Sequence, residues 1–186
     1  MNGEDAMVTV LFVDIRGFTP FADRVTAREA VALLNEFFGV VVPVLQDHGG
    51  RVQQFLGDGL LGVFGAPQRL PDHADRGVAA AGAIVAAVEA HFGERCRVSV
   101  GVNSGLVMVG TIGGGGRFEL GVIGDPVNVA ARVEKATRDT GDSVLVTEAT
   151  RCLLEGPDNT GLEAHGSLCL KGKPAPVALY ALGEKR

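Results

Sequence analysis

A chain of 186 residues is enough for one compact domain and short for two. An apolar share of 46% permits a sizeable core, which must be built mainly from Val, Leu, Ala and Ile because aromatics are 5% and Trp is absent. The net charge of −5 argues against a nucleic-acid or anionic-membrane surface, which would want a basic stripe. Three cysteines, Cys96, Cys152 and Cys169, are widely spaced and form no CxxC pattern. That argues against a disulfide framework or a zinc site and suits a reducing compartment, so a cytoplasmic location is expected. The acidic opening "MNGEDAM" is unlike a secretory leader. No uninterrupted apolar run reaches the ~18 residues of a membrane span. Direct membrane insertion by this segment is therefore not expected, although the parent protein can carry an anchor elsewhere.

In chain order, residues 8–13, "VTVLFV", read as a central strand buried on both faces, ending in "DIRGFT". Thr26 with Glu29 three residues later forms a capping box, opening a helix to about Gln46 along which Leu33, Leu34, Phe37, Phe38 and Val41 recur at helical spacing. "DHGG" stops it. Residues 51–65, "RVQQFLGDGLLGVFG", are two short apolar runs joined at Gly57-Asp58-Gly59, the pattern of a β-hairpin with an Asp-Gly turn. After the break "GAPQRLPD", a second helix runs over residues 72–92. The strand "RVSVGVN" continues through Ser104-Gly105 into "LVMVGTIG", and the tetraglycine 113–116 marks a hairpin tip. Following "FELGVIG", Asp125-Pro126 opens a third helix with Pro at its first position. "SVLVT" is a strand, "EATRCLLEG" a short helix and "HGSLCLKGKPAPVALYAL" a closing hairpin. No repeat or linker divides the chain, so residues 1–186 are read as one domain with its core over 8–182, possible as a piece of a longer protein. The fold class is α+β: a mostly antiparallel sheet with helices on one face, whose first half has the βαββαβ rhythm of ferredoxin-like folds, plus a C-terminal extension.

Two carboxylates stand at strand ends, Asp14 and Asp58. In a βαββ arrangement the first strand commonly lies beside the second, which brings both to one edge. Carboxylates side by side repel unless a cation sits between them. Oxygen ligands of this kind suit Mg²⁺ or Mn²⁺, which keep waters and take further ligands from phosphate. In "IRGFT", Gly17, with Phe18 and Thr19 after it, lets backbone N–H groups turn around phosphate oxygens. The alternative for each is plainer, Asp14 capping a turn and Asp58 supplying a hairpin. On the third helix Asn128 and Arg132 are four apart and share a face amid small apolar neighbours, "VNVAAR". Either it is a solvated surface, or the guanidinium projects from a contact face, where it suits phosphate oxygens.

The blocks "LFVDIRGFT", "FLGDGLLGVFGAP", "VGVNSGLVMVGTIG", "VIGDPVNVAARVE" and "LKGKPAPVALYAL" occur in the order and spacing of class III nucleotidyl cyclase catalytic domains, which this chain resembles over nearly its whole length. It is most similar to bacterial, actinobacterial-type adenylyl cyclase domains. The resemblance implies the class III cyclase fold and a homodimer with active sites shared across its interface. It implies two Mg²⁺ or Mn²⁺ ions bound by Asp14, Asp58 and the carbonyl of Ile15. Asn128 then matches the residue that orients the ribose, and Arg132 the one that stabilises charge on the α-phosphate. Lys171 or Lys173 falls where a lysine holds the terminal phosphates, and Arg69 lies near a further phosphate-binding arginine. The implied reaction closes ATP to 3′,5′-cyclic AMP and expels pyrophosphate.

Adenylyl cyclases of this family carry a Lys at the position of Gln54 and an Asp or Thr at that of Gly121, and guanylyl cyclases a Glu and a small residue or Cys. Gln54 with Gly121 fits neither. A Gln amide offers a donor and an acceptor, so base choice is expected to be relaxed, with ATP favoured over GTP by resemblance alone. Two rival readings remain open: a degenerate domain that binds nucleotide or dimerises without turnover, and one half of a heterodimer. A diguanylate cyclase shares the core rhythm, but "LGDG" stands where its GGDEF-type hairpin belongs.

Overall fold

The computed structural model describes residues 3–156, 161–169 and 175–183. Strand β1 (Glu4–Ile15) is the axis of the sheet, and begins earlier than the apolar run suggests. A short helix, α1 (Phe18–Ala22), follows the "DIRG" turn and was not evident in the sequence pattern. Helix α2 (Ala27–Asp47) opens with the expected box: Thr26 Oγ1 accepts from the Glu29 N–H, and the Glu29 carboxylate accepts from the Thr26 N–H at 2.8 Å. The hairpin comprises β2 (Arg51–Leu56) and β3 (Gly59–Phe64), and α3 (His73–Phe92) leads to the long β4 (Val98–Gly114). Then come β5 (Arg117–Ile123), α4 (Asp125–Thr140), β6 (Val144–Thr147), α5 (Glu148–Arg151), β7 (Leu162–Leu168) and β8 (Val177–Leu182).

The strands form one sheet in the order β2-β3-β1-β4-β6-β8-β7, with β5 folded back on β4. All pairings are antiparallel except β4 with β6. Of the two hairpin strands it is β3 that pairs with β1, not the β2 that immediately follows it in the chain, and β4 lies on the other side of β1. Asp58 reaches the end of β1 all the same, because it sits in the turn joining β2 to β3.

Alternation along β1 explains why "VTVLFV" is apolar throughout. Leu11, Val13 and Ile15 enter a core with Phe37, Val41 and Leu45 of α2 and with Val78, Ala81 and Ile84 of α3. Val8 and Val10 point the other way, into a second core with Leu61, Val63, Val107, Val109 and Ala130 of α4. The expectation of helices on one face therefore holds for α2 and α3 and fails for α4, which covers the opposite face. Helix α2 is apolar and long enough to cross a membrane by composition alone, with a mean hydropathy of 1.4 over 18 residues. In the fold it lays Phe37, Val41 and Leu45 against the sheet.

The seat of α4 is set by Gly101. A Cβ there would stand 2.2 Å from the Glu134 backbone nitrogen and 2.6 Å from the Ala130 carbonyl oxygen. Helix backbone cannot yield as a side-chain tip can, so helix and strand touch directly. Gly101→Ala is expected to lower stability by about 1–3 kcal/mol. In urea denaturation this reads as an earlier midpoint with little change in slope.

Candidate active site

Asp14 is the penultimate residue of β1 and pairs in register with Gly59, so the carboxylate of β1 and the turn carrying Asp58 meet at one end of the sheet. The Ile15 N–H donates to the Asp58 carbonyl at 3.4 Å. Gly57 takes a left-handed φ of 67° in this turn, which a side chain would resist. Gly59 has no room for one: its Cβ would lie 2.4 Å from the Val13 carbonyl oxygen and 3.0 Å from Asp14 Oδ1. Beside the two aspartates opens a cleft of about 440 Å³, lined by the turn of residues 15–20, Asp58 and Arg138. Gly17, with a φ of 70°, lets the chain double back from β1 into α1 and so form the cleft wall.

Burial raises the Asp14 pKa above the usual carboxylate range, and the nearby charge of Asp58 raises it further, while Arg138 pulls it the other way. Among the described residues no cluster of three or more His, Cys, Asp or Glu side chains forms a closed metal cage. Two carboxylates at an open cleft are nonetheless a donor set that fits Mg²⁺ or Mn²⁺, which fill their shells with water and phosphate oxygens. Asp14 and Asp58, with the Ile15 carbonyl beside them, are the groups that would hold such ions.

Helix α4 contributes differently from its two ends. Ala130, Glu134 and Arg138 recur every four residues and form one stripe. Ala130 and Glu134 are buried on the sheet side, and Arg138 Nη2 reaches Asp14 Oδ2 at 2.6 Å. Asn128 is exposed and Arg132 half-buried, and neither lines the cleft. Ten residues of helix, about 15 Å, separate Asn128 from Arg138. One copy of the chain therefore does not bring Asp14, Asp58, Asn128 and Arg132 to one point.

Arg16 has a structural task. Its Nε donates to Ser99 Oγ at 2.8 Å, and its Nη2 donates to the carbonyls of Thr137, at 3.5 Å, and Asp142. These contacts fasten the last turn of α4 to the end of β1. Its proximity to Asp14 in the sequence was visible; its orientation was not, because it depends on where α4 docks. The Arg138 contact was missed for the same reason, although the Ala130-Glu134-Arg138 spacing was available as a signal.

At the other candidate position, Gln54 lies exposed on β2, paired with Leu61. The register shifts between Val52 and Gln54, leaving Gln53 as the extra residue of a bulge. Gln53 Nε2 then donates to the Leu120 carbonyl on β5, a side-chain tie between the strands of Gln54 and Gly121, which are not ladder partners. Gly121 pairs with Gly110, and the space of its missing side chain is filled by Ile112, whose Cδ1 would be 1.9 Å from a Cβ built there. Arg69 is exposed in the segment between β3 and α3 and does not line the cleft. Lys171 and Lys173 lie outside the described residues.

Comparison with known proteins gives one consistent result. The structure is similar to that of the adenylyl cyclase CyaB from P. aeruginosa, with a TM-score of 0.89 at 26% identity, covering 100% of this chain and 98% of that one. It is also similar to the guanylyl cyclase Cya2, with a TM-score of 0.86 at 29% identity over 100% and 97% of the two chains. Among curated sequences, the uncharacterized protein Rv1318c of Mycobacterium tuberculosis is 43% identical over 179 residues, 96% of this chain and 33% of that protein. Rv1320c of the same organism is 41% identical over 96% of this chain and 31% of its own length. The chain thus spans about a third of the curated relatives it matches. Residues 2–184 match the family described as the adenylate and guanylate cyclase catalytic domain, and the chain belongs to that family.

Proposed function

We propose that this chain is an adenylyl cyclase domain that acts as a homodimer, with base selection relaxed enough to admit GTP. The observation that carries this reading is the division of the site. Asp58 lines the cleft that opens beside Asp14, while Asn128 and Arg132, on the same helix that supplies Arg138, do not line it. A second copy that brings its Asn128 and Arg132 to this cleft completes a set that one copy leaves in halves. An uncovered apolar patch supports such an encounter. Met7 and Leu106 are cross-strand partners, as are Met108 and Ile123, and all four are about half exposed.

In this reading Asn128 orients the ribose, and Arg132 meets the charge that develops on the α-phosphate. The ribose 3′-oxygen bonds to the α-phosphorus and the bond to the β-phosphate oxygen breaks. Pyrophosphate departs, and the 3′-hydroxyl proton is lost to solvent. Divalent ions held by Asp14 and Asp58 would supply the charge that acidifies the hydroxyl and balances the triphosphate. Asp14 and Asp58 fix the positions of that charge, and the turn at residues 17–19 walls the phosphates.

Incubation with Mn²⁺ and either ATP or GTP is expected to yield cyclic product, increasing per unit protein as protein concentration rises, with Asp14→Ala as the blank. No product from either nucleotide at high protein would leave the degenerate-domain reading, which the Gly121–Ile112 packing favours because it offers the base no polar partner there. For base choice, one neutral hydrogen bond is worth ~0.5–1.5 kcal/mol. Gln54→Lys is therefore expected to raise the cyclic AMP to cyclic GMP ratio about three- to tenfold. Gly121→Thr is expected to add to this only when Ile112 is shortened to Ala, because Ile112 fills its place.

A further inference from the structure

We propose that Arg138 is an exchangeable counter-ion of the acidic pair: it holds Asp14 in competition with a divalent cation, and moves onto substrate phosphate once that cation binds. The inference rests on the metal–triphosphate reading of the cleft. Arg138 Nη2 is 2.6 Å from Asp14 Oδ2 and 3.8 Å from Glu134 Oε1. The Asp14 side chain is only 18% exposed, whereas that of Arg138 is 56% exposed. A half-buried carboxylate is thus met by a cation whose own side chain stands largely in solvent and can swing. The same residue lines the cleft between Asp58 and the turn of residues 15–20, so leaving Asp14 does not take it out of the site. It stands in the last turn of α4, where the helix dipole favours a positive group.

Arg16, which also stands near this corner, cannot take the role. Arg16 is committed to Ser99 and to the carbonyls that end α4. Among the described residues, Arg138 is the cation bonded to the acidic pair's side chains. Its guanidinium also matches phosphate oxygens in a planar, two-pronged way that a lysine would not.

The test is binding, with the full chain and no turnover. Mn²⁺ affinity is measured by electron paramagnetic resonance titration for the native protein, Arg138→Gln and Arg138→Lys. Pyrophosphate affinity is then measured at saturating Mn²⁺. Removing the competitor is expected to tighten Mn²⁺ about three- to tenfold in Arg138→Gln, with Arg138→Lys between it and the native protein. Pyrophosphate should bind about three- to tenfold more weakly to Arg138→Gln. Unchanged or weaker Mn²⁺ binding would overturn the competition, and unchanged pyrophosphate binding would overturn the exchange onto phosphate. Asp14→Asn separates the two levels of the argument. If it leaves Mn²⁺ binding intact, the metal reading of the cleft fails. If it abolishes binding while Arg138→Gln behaves as native, only the counter-ion inference fails.

Discussion

Mixing Asp14→Ala protein with Arg132→Ala protein is expected to restore cyclic-nucleotide formation that neither variant shows alone. Each substitution removes a group from a different half of the proposed site. Loss of Asp14 strips a carboxylate from the divalent-ion position, and loss of Arg132 strips a donor from the developing phosphate charge. Either is expected to cost about a hundredfold or more in rate. In a mixed dimer one site collects both defects and the other collects neither. Random re-pairing of equal amounts makes half the dimers mixed, each with one of two sites intact, so recovery should approach about a quarter of native activity. The fraction recovered should grow with total protein, since a weak dimer forms by mass action. Two folded variants that fail to rescue one another at any ratio would count against a site shared between copies, although neither Asn128 nor Arg132 lines the cleft of its own chain.

Much of this arrangement was legible from the residues because the decisive signals are local. Thr26 with Glu29, Pro126 at the head of α4 and the tetraglycine at the β4–β5 tip each act within a few residues, and each stands where expected. Asp14 and Asp58 were also locatable, since each ends or joins a strand that must otherwise be apolar. What stayed hidden depends on docking between distant segments. Nothing near Gly101 announces that α4 lies on it, so helices were expected on one face only. Once α4 takes the opposite face, Arg16 becomes its fastener and Arg138 the partner of Asp14. The bulge at Gln53 was also overlooked, although the alternation of "RVQQFL" breaks at Gln53-Gln54, where the register shifts. The consequence is specific: Gln54 was singled out for the base, while its neighbour proves to be the residue that ties β2 to β5.

Glu134 carries the second large effect, on stability rather than turnover. Its side chain is buried against β4, and Oε1 has no hydrogen-bond partner. Burial, and then the charge of Asp14, push its pKa up to about 7, with Arg138, Lys135 and Arg16 pulling the other way. The unfolded chain holds this group near 4.5. The folded protein therefore binds a proton more readily, and the stability this confers is present in full below pH 4.5. It is lost as the pH rises from there through about 7, where the folded protein must carry the buried charge or begin to unfold. Glu134→Gln keeps the shape and removes the titration. At pH 8, with divalent ions chelated, the variant is expected to be more stable than the native protein by up to about 3 kcal/mol. At pH 4.5 the two should differ little. Urea midpoints measured every half unit between these limits distinguish the cases. Parallel curves for native and Glu134→Gln would show that the carboxyl is already ionised in the fold, with Arg138 close enough at 3.8 Å to sustain it.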